Sequence, residues 1–188
     1  MTDEPPIDDP RPIGLHGTAS LLLVNTGDGK GKSSAAFGVM TRAVARGWKV
    51  AVVQFVKSGD WKVGEETIGR QLGVDWHAVG DGFTWDSTNL DHDQELARNG
   101  WALAAGIIAA GAHQLVILDE LTYLMNWEWI DSAAVLEALR DRPSSVSVIV
   151  TGRDAPTGLI DIADTVTEMR NVKHAYDSGI AAKRGIDY

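Results

Sequence analysis

The chain has 188 residues, a formal net charge of −9, 44% hydrophobic and 23% charged residues, and no cysteine. That length gives one domain a sizeable core and leaves little for a second. Disulfides, thiolate metal sites and cysteine nucleophiles are excluded; the negative charge argues against a protein that tracks a nucleic-acid backbone, and no apolar run approaches the roughly 18 residues of a membrane span.

Residues 1–18, opening MTDEPPIDDPRPIG, are acidic and proline-rich with little that can pack. They read as a flexible extension and are the opposite of a secretory signal, so the expected location is the cytoplasm. Residues 19–188 read as a single domain of alternating elements. SLLLVNT (20–26) is a strand, a helix runs from about 32 to 46, and KVAVVQFV (49–56) is a second strand. A weaker strand, VDWHAVG (74–80), precedes a long alanine-rich helix over about 91–110. QLVILDE (114–120) is a strand, SAAVLEALRD (132–141) a helix, VSVIVTG (146–152) a strand, and ADTVTEMR (163–170) a candidate edge strand. The closing KHAYDSGIAAKRGIDY has no clear period. Near-continuous apolar strands interleaved with helices are what a parallel sheet covered on both faces requires. An open α/β sheet binds ligands at the carboxyl ends of its strands, so the residues just after each run are the ones of interest.

Directly after the first strand comes TGDGKGKSS (26–34), and a helix follows at once. Gly27, Gly29 and Gly31 let backbone N–H groups turn toward an anion, with Asp28 and Lys30 between them. Lys32 adds a point charge, Ser33 a hydroxyl suited to Mg²⁺, Ser34 a second hydroxyl, and the helix its positive end. The spacing G-x-x-x-x-G-K-[ST] would put its first glycine at position 26, where this chain has Thr26. The other reading, a glycine-rich turn with solvated lysines, fits the flanking strand and helix less well.

Asp119 and Glu120 end a buried apolar strand, where a phosphate-loop site places a carboxylate for Mg²⁺ or its water. Asp60, Glu65 and Glu66 lie in a polar stretch and read as solvated. In GDGFTW (80–85), Phe83 and Trp85 sit among glycines; they could pack on the core, the commoner fate, or form a platform for a flat ligand. Trp61, Trp127 and Trp129 lie near strand ends, and seven tryptophans in all suit a large apolar ligand or a subunit interface. His16, His77, His92, His113 and His174 are scattered without metal-ligand spacing, and no catalytic base for phosphoryl transfer stands out.

The segments TGDGKGKSSAAFG, VVQFVKSGDWKVGE, GDGFTW, LVILDE, VIVTGR, ADTVTEM and KHAYDSGIAAKRGIDY, in this order over residues 20–188, closely resemble the P-loop family of ATP:corrinoid adenosyltransferases. The family pattern shows GNGKGKTT where this chain has residues 27–34 as GDGKGKSS; serine keeps the hydroxyl, and Asp28 adds a charge beside the phosphates. The resemblance implies a P-loop NTPase-like (RecA-like) α/β fold, with a mostly parallel sheet and helices on both faces. It implies that a reduced, Co(I) corrinoid attacks the 5′-carbon of ATP and expels triphosphate, a reaction whose nucleophile needs no protein base. By the same resemblance, residues 27–34 cradle the triphosphate, with Lys32 catalytic, and Arg42 and Arg153 help place the nucleotide. Ser33 and Glu120 would hold Mg²⁺ (or Mn²⁺) with Asp119 beside them, and Phe83 and Trp85 would shape the corrinoid side. A homodimer, with the N-terminal segment covering a site, and an electron-donating reductase are the implied partners. The rival readings are a P-loop kinase or NTPase and an ATP-binding regulatory module.

Overall fold

The computed structural model describes residues 12–58, 64–80 and 90–187. Its elements run β1 (Leu22–Thr26), α1 (Lys32–Ala45), β2 (Val50–Ser58), α2 (Gly64–Gln71), β3 (Asp75–Gly80), α3 (Leu90–Ala110) and β4 (Leu115–Asp119). Then come α4 (Leu121–Asn126), α5 (Ser132–Arg140), β5 (Ser147–Thr151), α6 (Thr157–Ile162) and β6 (Thr165–Glu168), followed by a 3₁₀ turn at Ala175–Ser178. The six strands form one sheet in the order β3-β2-β4-β5-β1-β6, and each pairing is parallel.

Alternation along each strand divides the core in two, because successive side chains point to opposite faces. Leu22 and Val24 of β1, Val116 and Leu118 of β4, and Val148 and Val150 of β5 pack on one side with Ala104 and Ile108 of α3 and Val135 and Leu139 of α5. Leu115 and Ile117 of β4 and Ile149 of β5 turn to the other side, against Ala36, Phe37 and Met40 of α1. Both faces are therefore covered, as the apolar runs require. On α3 the buried residues Ala97, Gly100, Ala104 and Ile108 follow helical spacing. Gly100 is needed there, since a Cβ would stand 2.7 Å from the Val79 side chain. β6 is the exception: all four of its residues are exposed, as suits the edge strand expected from ADTVTEMR.

The sequence periods located every strand to within two or three residues and the helices α1, α3 and α5. They missed α2, α4 and α6, which are only 8, 6 and 6 residues long, too short to show a helical stripe. Glu65 and Glu66 belong to the first turn of α2, where acidic side chains favour the positive end of the helix. Trp61, Asp60 and the aromatic pair Phe83 and Trp85 lie outside the described residues.

Candidate functional site

The carboxyl ends of β1, β4 and β5 converge on the loop between β1 and α1. Thr26 is the last residue of β1 rather than a loop residue, and its Oγ1 accepts the N–H of Ala155 at 3.1 Å. A glycine at this position would lose that tie. The loop's first left-handed residue is Gly27 (φ 90°), and Gly31 (φ 113°) starts α1 with no side-chain cap. The first turn of α1 thus carries no side-chain cap and no acidic residue of its own, and the helix presents its positive end there.

The middle of the loop is bound to the end of β6. The N–H of Gly29 donates to Met169 O at 2.6 Å, and the N–H of Met169 donates to Thr26 O at 2.7 Å. A Cβ on Gly27 or Gly29 would lie 2.5 or 2.7 Å from backbone atoms of Met169. These glycines therefore serve close packing of two backbone segments. Asn25, buried at the end of β1, donates its Nδ2 to Lys32 O at 3.1 Å and fixes the far side of the loop. Asp28 and Lys30 are exposed on its rim, and Lys30 Nζ pairs with Asp187 at 2.7 Å.

Lys32 Nζ reaches back across the loop and donates to Gly27 O at 2.7 Å and Gly29 O at 2.8 Å. Burial, and then the Arg153 guanidinium, holds its pKa below the usual lysine value; Glu120, Asp28 and Asp154 oppose that shift. The same five side chains thus share one electrostatic environment. Ser33 and Ser34 follow in the first turn of α1, half-buried and exposed respectively.

Asp119 ends β4 fully buried. Its Oδ1 accepts Thr151 Oγ1–H at 2.7 Å, and its Oδ2 accepts Gln54 Nε2–H at 2.9 Å. Glu120 follows in the left-handed region (φ 65°) as the cap of α4, an uncommon backbone for a residue with a Cβ and one that turns the chain sharply off the sheet. Its N–H donates to Thr151 Oγ1 at 2.9 Å. Beyond β5, the turn carrying Arg153 is clamped by α4: Thr122 Oγ1 donates to Arg153 O at 2.6 Å and Asn126 Nδ2 to Asp154 O at 3.0 Å. Arg153 is exposed, so its guanidinium can reach a ligand.

The structure therefore brings Gly27–Ser34, Asp119, Glu120 and Arg153 to one end of the sheet. Arg42 lies in the last turn of α1, ten residues beyond Lys32 or about 15 Å along the axis, where its charge suits the negative helix end. The Trp127 and Trp129 rings meet at a tilt of 49° with centroids 4.9 Å apart and pack on the core beside Tyr123. Sequence reading missed Asn25, Gln54, Thr122, Thr151 and the Met169 backbone. The first four had a usable signal, a polar residue within or just after an apolar strand; Met169 had none.

The oxygen donors at the site, one hydroxyl from Ser33 and carboxylates from Asp119 and Glu120, fit a hard cation such as Mg²⁺, which takes one or two carboxylates and completes its shell with phosphates and water. Among the described residues no group of three or more His, Cys, Asp or Glu side chains could hold a metal by itself. No helix among them is long and apolar enough to cross a membrane.

Comparison with known proteins places this arrangement in context. The profile of the ATP:corrinoid adenosyltransferases (BtuR/CobO/CobP) matches residues 18–188. The chain is 44% identical over 168 residues to a corrinoid adenosyltransferase of Escherichia coli, covering 89% of this chain and 85% of that protein. It is 42% identical over 168 residues to the corrinoid adenosyltransferase CobA of Salmonella typhimurium, with the same coverage. A corrinoid adenosyltransferase of Pseudomonas aeruginosa is 44% identical over 170 residues, 89% of this chain and 83% of that one.

Proposed function

This chain belongs to the ATP:corrinoid adenosyltransferase family, and from that premise we propose that it moves the 5′-deoxyadenosyl group of ATP to the cobalt of a Co(I) corrinoid and releases inorganic triphosphate. Cobalt supplies the electron pair of the new cobalt–carbon bond. The carbon–oxygen bond breaks, and its pair leaves on the triphosphate, so no proton has to be removed to start the reaction. The protein's tasks are alignment of the 5′-carbon with cobalt and stabilisation of a highly charged leaving group.

The observation that carries this reading is the cationic cradle: Lys32 and Arg153 share one field beside the uncapped start of α1. Lys32, now bonded to loop carbonyls, can turn its donors to phosphate oxygens without leaving the loop. Ser33 and Glu120 are suited to hold Mg²⁺ or Mn²⁺, with Asp119 beside them; when bound, that ion neutralises charge on the departing triphosphate. Asp28 and Lys30 border the cradle, and Arg42 meets ligand only beyond the phosphates. Phe83 and Trp85 form the corrinoid side. The active unit is a homodimer in the cytoplasm whose N-terminal segment covers a site, and an electron-donating reductase supplies the Co(I) state.

Phosphorus NMR of a reaction with chemically reduced corrinoid checks the bond that breaks. Triphosphate should appear in step with adenosylated corrinoid. ADP forming at a matching rate, or ATP consumed equally well without corrinoid, would instead establish a kinase or NTPase.

A further inference from the structure

Behind the site, Trp76, Gln54, Asp119 and Thr151 form a buried polar chain across four strands, at 3%, 1%, 0% and 0% exposure. At that burial each donor must find an acceptor, so the direction of each hydrogen bond can be read from the chemistry of its partners. The indole N–H of Trp76 can only donate, and it meets Gln54 Oε1 at 3.0 Å. That contact fixes which end of the Gln54 amide is oxygen and aims its NH₂ at Asp119 Oδ2. On the other side, the backbone N–H of Glu120 can likewise only donate, and it takes Thr151 Oγ1 as acceptor. The single Thr151 hydroxyl hydrogen is then left for Asp119 Oδ1. Both relays end as donors on the one carboxylate, from opposite sides.

We infer that Trp76, Gln54 and Thr151 are positioning residues that lock the Asp119 carboxylate as an acceptor in one orientation, and that Thr151 ties this lock to the strained backbone of Glu120. The inference rests on the reading of Asp119 and Glu120 as the metal side of the site. Neither relay touches nucleotide; each acts by fixing the angle at which Asp119 meets the metal or its water. Such outer partners typically change metal affinity by about 10- to 100-fold. Trp76 adds a second function, because its ring packs on Phe37 of α1 at 5.2 Å and so joins the lock to the helix that starts at the phosphate loop.

The test is an electron-paramagnetic-resonance titration of Mn²⁺ into the protein–ATP complex, with melting temperature measured in parallel. Thr151→Val, which keeps the shape and removes the hydroxyl, should weaken Mn²⁺ binding about tenfold or more, and Thr151→Ser should restore it to within about threefold of the parent. Trp76→Phe, which deletes the indole donor and keeps an aromatic ring, should weaken it in the same direction and serves if Thr151→Val does not fold. Unchanged Mn²⁺ affinity in a folded Thr151→Val or Trp76→Phe protein, beside strong weakening in Glu120→Gln, overturns the lock and leaves the metal reading standing. Unchanged affinity in Glu120→Gln itself overturns the metal reading, and the lock with it.

Discussion

Lys32 is held in an electrostatic conflict. Its ammonium is partly desolvated and faces the Arg153 charge, so its pKa in the folded protein lies below the 10.5 of an ordinary lysine. Between the lowered value and 10.5 the unfolded chain binds more protons than the folded one, and folding stability contributed by this group rises with pH across that window. Lys32→Met should lack that alkaline rise, and its melting temperature should track the parent's at neutral pH while ATP binding is lost. Loss of one such electrostatic donor typically costs about 3 kcal/mol of transition-state stabilisation. Melting curves of both proteins through the alkaline range decide it: matching profiles would remove Lys32 from the conflict, and near-normal turnover would remove it from the site.

The connection between the phosphate loop and the end of β6 makes a prediction about elements. Gly29→Ala puts a methyl group 2.7 Å from the Met169 backbone, where no flexible side chain can yield. Loop and strand must separate, at a cost of about 1–3 kcal/mol for overpacking of this kind, and ATP affinity should fall with the Gly29–Met169 hydrogen bond. Thermal melting and ATP titration measure the two effects; a Gly29→Ala protein with parental stability would show that the contact does not hold the loop. This contact also marks where sequence reading stops. The strands were legible because both-faces burial writes itself as unbroken apolar runs, and the loop because TGDGKGKSS leaves its glycines in full view. Pairing order is different, because β1 lies between β5 and β6 through contacts far apart in the chain. For the same reason Gln54 appears in the sequence as one polar residue inside a strand, and its meaning comes from partners on two other strands. Arg42 is assigned to nucleotide by resemblance alone, and the structure places it in the last turn of α1.

At the scale of the whole molecule, a chain of net charge −9 must attract an anionic nucleotide into a local cationic cradle. The global field opposes approach and the cradle acts only at short range, while the Debye length is about 10 Å at 0.1 M salt. Raising ionic strength from about 20 to 200 mM should therefore speed ATP association, the reverse of a basic binder's behaviour. Stopped-flow measurement of the association rate tests this, and a rate that falls with salt would mean that Lys32 and Arg153 dominate at long range as well. The contact between Gly29 and Met169 has a further consequence, in the order of synthesis. The loop is made well before the backbone that braces it, since Gly29 and Met169 stand 140 residues apart in the chain. A nascent chain can already hold β1 through β5 and their apolar faces, yet its phosphate loop still lacks the brace that β6 supplies. The loop is thus braced only once β6 and Met169 have been made.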